Sequence, residues 1–182
     1  MLRYFLKISV LLISWWGVAP SSAGAADQGM DLRESQVKAA FIYNFALYVE
    51  WPTGAGGEQK PHTVCLIGAN NFGPTLEAIR GKLVRNRSLV LRRIVAAEDA
   101  GGCDILFVSS SERINLHSIL DAVRNLPVLT ISDMERFTRS GGMIGLLALD
   151  NKVQFEVNLK QAQRSQLRIS SQLLKLARDV IE

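Results

Sequence analysis

Three short, nearly unbroken apolar runs occupy the middle of the chain: HTVCLIG (62–68), CDILFVS (103–109) and PVLTIS (127–132). Each is bounded by turn-forming residues and none alternates. This is the pattern of strands covered on both faces, as in a parallel sheet packed between helices. Helical candidates separate them: PTLEAIRG, with Pro74 suited to a first helical position and Gly81 to an end, and ERINLHSILDAVRN. RSLVLRRIV reads as a further strand nearer a sheet edge, because Arg92 and Arg93 interrupt it.

The flanking segments follow other periods. Asp31 and Glu34 have the form of a capping box, with Asp in place of Ser or Thr, at the start of a helix. Val37, Phe41, Asn44, Phe45 and Tyr48 then recur at helical spacing, widened by Ala40, Leu47 and Trp51, and the helix should stop before Pro52. TGAGGEQKP follows as a flexible loop. Beyond Asp133, GGMIGLLALDNKVQFEVNL predicts two strands around a turn at Asp150-Asn151, with alternation in Val153, Phe155, Val157 and Leu159. ISSQLLKLARDVI predicts a closing helix with Ile169, Leu173, Leu176, Ala177 and Val180 along one face. The whole reads as an α/β fold: a mainly parallel sheet flanked by helices, a Rossmann-like sandwich, with a C-terminal β-hairpin and closing helix.

The N-terminus changes the compartment. MLRYFLK carries Arg3 and Lys7, ISVLLISWWGVA is apolar, and Ala23-Gly24-Ala25 supplies a small-residue cleavage pattern. That is the layout of a secretory signal peptide. Its apolar run is shorter than the roughly 20 residues a membrane span needs. The expected organisation is a cleaved leader over residues 1–25 and one α/β domain over 26–182. Cleavage removes two of the four net positive charges. The basic run RGKLVRNRSLVLRR holds no aromatic residue to stack bases, so it reads as a solvated face and not as a nucleic-acid site.

Export bears on the two cysteines, Cys65 and Cys103, each within or at the start of an apolar strand candidate. In an oxidising compartment a disulfide is favoured, against the alternative of two unpaired core thiols. The other chemistry is sparse. His62 and His117 have no ligand partner at metal spacing, and both read as surface or loop residues. Ser109, Ser110 and Ser111 upstream of His117 lack the Gly-x-Ser-x-Gly elbow of a serine hydrolase and read as a helix cap. The glycine pairs lack the phosphate-loop patterns, and Gly141-Gly142 reads as a tight approach to the following strand. No cofactor or metal is implied. A small-molecule crevice at the C-terminal end of the sheet stays open as a reading.

KAAFIYNFALYVEWP, CDILFVSSSE, PVLTISDMERFTRSGGMIGLLALDNKVQFEVNL and ISSQLLKLARDV, taken in this order, resemble the YfiR-like family of bacterial periplasmic proteins. The resemblance implies a non-enzymatic regulator. It would bind the periplasmic region of an inner-membrane diguanylate cyclase and hold it inactive, lowering cyclic di-GMP and biofilm formation. It also implies a homodimer and capture by an outer-membrane peptidoglycan-associated lipoprotein. Cys65 and Cys103 match one cysteine pair of the family, whereas Thr138 and Gly145 stand where a second pair is found, which removes that bond here. For the partner surface the resemblance points to Ile144, Glu156, Ala162 and Ile169. The alternative is a periplasmic small-molecule-binding sensory module coupled to another membrane receptor.

Overall fold

In a computed structural model the chain is described over residues 23–52, 60–69, 72–149 and 152–182, with the side chains of its first helix from Leu32 onward. The leader expected over residues 1–25 lies outside this range except for its last three residues, and so does most of the glycine-rich loop at 53–59. Helix α1 (Ala23–Tyr48) runs into a two-residue strand, β1 (Val49–Glu50). Then come β2 (His62–Ile67), a 3-10 turn at Thr75–Ile79, β3 (Leu83–Val84) and β4 (Arg87–Ile94). A 3-10 segment at Ala97–Gly102 precedes β5 (Ile105–Val108), and another at Ser110–Glu112 leads to α2 (Leu116–Val123). The remainder is β6 (Leu129–Ser132), β7 (Ile144–Leu149), β8 (Lys152–Asn158), α3 (Leu159–Arg164), β9 (Arg168–Ile169), α4 (Ser171–Leu176) and β10 (Asp179–Ile181).

Eight strands form one mixed sheet in the order β10-β8-β7-β6-β5-β2-β4-β3. Its centre, from β4 through β2, β5 and β6 to β7, is parallel, as the unbroken apolar runs require. The hairpin β7-β8 is antiparallel and pairs Leu149 with Lys152 on either side of the expected Asp150-Asn151 turn, which itself lies outside the described residues. Successive residues of the central strands feed opposite faces. Val64, Leu66, Ile105 and Phe107 join one apolar cluster with Ile42 and Phe45 of α1. Cys65, Ile67, Leu106 and Val108 join a second cluster with Ile119 and Val123 of α2. Leucine prefers a helix to a strand by less than about 1 kcal/mol, and full burial stabilises it by roughly 2 kcal/mol, so packing decides for strand at Leu66 and Leu106.

The disulfide joins Cys65 and Cys103 across 38 residues with their Cα atoms 5.9 Å apart. It ties β2 to the segment entering β5, its pairing neighbour, and both cysteines are buried.

Several sequence expectations change. α1 is already helical at Ala23, the first described residue and upstream of the expected cap at Asp31, in a stretch where Ala23, Ala25 and Ala26 are strong helix formers. Its buried stripe is Ser35, Ala39, Ile42, Phe45 and Ala46, while Val37, Asn44 and Tyr48 face outward. The segment is apolar around most of its circumference, so periodicity alone did not select the face. PTLEAIRG forms only a 3-10 turn. The closing helix stops at Leu176. The chain then extends into β10, which pairs in parallel with β8 and covers its outer edge, so Ala177 and Val180 lie on no helix. The basic run is not simply solvated. Arg80 pairs with Glu77, Lys82 lies over the Tyr43 ring, Arg85 meets Glu50, Arg87 meets Asp104, Arg92 donates to the Asp99 carbonyl and Arg93 to that of Gly68.

Candidate partner-binding face

The β7-β8 hairpin and the segment between β6 and β7 build the face that holds the expected contact residues. Glu156 lies opposite Gly145 of β7 on one side and Asp179 of β10 on the other. Alternation sends Phe155 and Val157 into the core and turns Glu156 the other way, where it is half-buried. Thr138, itself buried, donates its Oγ1 hydroxyl to Glu156 Oε2 at 3.2 Å, and its carbonyl accepts from Asn158 Nδ2 at 2.9 Å. The carboxylate is therefore held by a side chain from a different element, which fixes where its charge points.

The Thr138 segment is in turn locked from below. Ser132 Oγ donates to the Val108 carbonyl at 2.7 Å and accepts from the Met134 amide at 3.1 Å, while Thr130 Oγ1 accepts from the Met143 amide at 3.0 Å. Gly141 takes φ +100°, and a Cβ on Gly142 would fall inside the Phe137 ring. The glycine pair thus permits the tight approach to β7 that its sequence predicts. A Cβ on Gly145 would stand 3.4 Å from Thr138 Cγ2. The two positions assigned to a second cysteine pair are neighbours in space, filled here by a threonine and a glycine.

Ile144 and Ala162 are wholly buried. Ile144 points inward between β6 and β8, and Ala162 packs from α3 into the main core, so neither presents atoms to a partner in this structure. They bear on that surface only as its support. Ile169 is half-buried in β9, which forms a separate two-stranded ladder with β1 through the Val49–Ile169 pair. Of the four expected contact residues, only Glu156 and Ile169 reach solvent.

A groove of about 560 Å³ runs past Glu156. Its walls are Glu34 and Lys38 of α1, the charged segment from Asp133 to Arg139, Leu146–Leu149 of β7, and Arg178. Lys38 Nζ sits 2.6 Å from Glu34 and 2.7 Å from Asp133. Burial works to lower the Lys38 pKa, but its hydrogen bonds to Asp133 and Glu34, with their charges, outweigh this and hold it above the usual lysine value.

A second polar cluster, not legible beforehand, stands beside the disulfide. Asp104 accepts from the Thr63 amide through Oδ2 at 2.7 Å, and its carbonyl accepts from Trp51 Nε1 at 3.1 Å. His62 Nδ1 and Arg87 Nη2 each lie 3.7 Å from Asp104 Oδ1. At that distance no hydrogen bond is formed, and the buried His62 Nδ1 has no hydrogen-bond partner among the described residues. Burial pushes the Asp104 carboxyl up, but His62, the Thr63 amide and the Arg87 charge outweigh it and hold it below the usual aspartate range. His62 is therefore a buried strand residue, 3 % exposed, and not the surface histidine expected. The signal available was its place at the head of an apolar run, which a bland loop assignment passed over. A cavity of about 250 Å³ opens here, lined by Thr63, Arg87, Cys103 and Asp104, at the N-terminal ends of β2 and β5, the opposite end of the sheet from the crevice left open in the sequence reading. At the C-terminal end, Ser109 accepts from the Ser111 amide and Ser111 Oγ accepts from the Ala69 amide, the capping role read from the sequence. His117 is exposed and pairs with Asp121.

The YfiR/HmsC-like family model matches residues 35–178, and the chain belongs to that family. At family level this is a class of periplasmic regulators of diguanylate cyclase signalling. Among solved structures the chain is similar to one described as "the ABC domain in complex with L-Trp from Streptococcus pneumonia". The identity is 11 % and the TM-score 0.47, over 66 % of this chain and 55 % of that one.

Proposed function

We propose that this protein is a non-enzymatic periplasmic regulator that binds the periplasmic region of an inner-membrane diguanylate cyclase and keeps it inactive, lowering cyclic di-GMP. The observation that carries this reading is the family match over residues 35–178. The face around Glu156 supports it: a half-buried carboxylate, fixed by Thr138, on a hairpin whose tip residue Leu149 is exposed. A fixed charge beside apolar surface orients a partner more than it adds affinity. Export by a cleaved leader, a homodimer and capture by an outer-membrane lipoprotein belong to the same proposal.

The test is cyclic di-GMP measured in cells that carry the cyclase, with wild-type protein, Glu156→Lys or empty vector. Wild type should lower the nucleotide several-fold, and Glu156→Lys, exported at equal level, should restore the vector value. No effect of wild type would end the repressor reading and move the weight to a sensory module for a small molecule. Full repression by Glu156→Lys would place the contact elsewhere on the surface.

A further inference from the structure

Two sets of cations among the described residues differ in how they are partnered. Those of residues 80–93 are engaged within the chain, as described above. Around the groove the accounting differs. Lys38 is held by Glu34 and Asp133, Arg136 lies 3.8 Å from Glu135, and Glu156 takes the Thr138 hydroxyl. Arg139 and Arg178 line the same groove, both exposed, and neither guanidinium meets a carboxylate or a carbonyl among the described residues. Beside them Leu147 is half-buried and Leu149 is 40 % exposed. Two free guanidinium forks beside one half-buried and one exposed leucine have the chemistry to receive a carboxylate carried on an apolar body.

We propose that this groove receives an acidic segment of the partner protein, with a carboxylate at Arg139 and Arg178 and a neighbouring apolar side chain on Leu147 and Leu149. The proposal rests on the regulator reading above and adds the chemistry of what is recognised. Charge complementarity argues for it, because these are the groove's uncompensated cations, while Glu156 supplies the opposite sign and so sets the direction in which a segment lies. The form of the site also argues for a protein segment. Small-molecule pockets are enclosed, whereas this groove is open and combines the apolar residues of β7 with charged side chains. Arginine is among the residues that concentrate binding energy at protein interfaces.

The test is the dissociation constant of the purified protein for the periplasmic region of the cyclase, at low and at raised salt. Wild type is compared with the R139E/R178E double variant and with R139K/R178K. The charge reversal should weaken binding by about tenfold or more and remove most of the salt dependence, while the lysine pair retains part of the affinity. Both positions are exposed, so the urea midpoint should not move. Binding by wild type that the reversal leaves unchanged overturns the groove assignment alone. Absence of any wild-type binding overturns the regulator reading itself. If the reversal instead alters the sedimentation of the protein by itself, the occupant is a second copy. If wild type carries a small carboxylated molecule through purification and the variant loses it, the occupant is that molecule. Either of these results overturns the assignment to a partner segment.

Discussion

Single residues in this protein act mostly by fixing a neighbour, and Asp104 does so most broadly. One side chain and one carbonyl gather Thr63, Trp51, His62 and Arg87 around the residue that follows Cys103. Its carboxyl is held below the ordinary aspartate range, so folding favours the ionised form. The sign follows from linkage: the stabilisation is fully present above the unfolded pKa and is lost as the pH falls through the aspartate range, near about 4, towards the folded value. Asp104→Asn should cost about 2 kcal/mol at neutral pH, since it leaves Arg87 and His62 facing a neutral amide in a largely buried site. Urea unfolding of both proteins from neutral pH down to about 3 should show the gap closing as wild type loses its ionised carboxylate. A gap of constant size across that range would mean that packing, not charge, explains the cost.

At the scale of elements, the cysteine pair is the feature most fully legible in the sequence. Export and two cysteines at adjacent apolar runs pointed to a bond that the strand order β5-β2 makes geometrically direct. Closing a loop of this size limits the unfolded chain by about 4 kcal/mol of entropy at most. Replacing both Cys65 and Cys103 by Ala should therefore lower unfolding free energy by about 2 to 4 kcal/mol. A loss under about 1 kcal/mol would show that the bond does little beyond the packing of its own side chains. Other elements were less legible, each for a physical reason. The parallel strands were found because burial on both faces leaves a continuous apolar run. The face of α1 was missed because Phe41, Ile42, Phe45, Ala46 and Leu47 give too broad a stripe to orient. β10 was missed because Leu173 and Leu176 continue a helical period that the sheet edge interrupts: Asp179, Val180 and Ile181 pair with Glu156, Val157 and Asn158. The face around Glu156 depends on a partner distant in sequence, Thr138, and nothing in the local pattern announces that pairing. Burial at Ile144 and Ala162 likewise depends on which elements lie above them.

The molecule as a whole is organised around one sheet whose central strands serve two cores at once. Val64 and Cys65, or Ile105 and Leu106, are adjacent in the chain but belong to clusters on opposite faces. Neither face can open without disturbing the strands that carry the other, so the α/β domain should unfold as one cooperative unit. Trp51 provides a local probe in a chain that starts at Ala26, because the other two tryptophans, Trp15 and Trp16, fall within the leader proposed over residues 1–25. Its indole donates to the Asp104 carbonyl and its ring lies 5.2 Å from that of His62, a contact that cannot survive separation of β2 from β5. In the protein beginning at Ala26, tryptophan fluorescence and far-UV circular dichroism should therefore trace one urea transition with a common midpoint. Reduction should move both curves together to lower urea, because the bond joins strands shared by the two faces. Two separated transitions, with the dichroism of α2 lost before the fluorescence change, would show instead that the smaller cluster is a subunit of stability whose integrity depends on the Cys65–Cys103 bond alone.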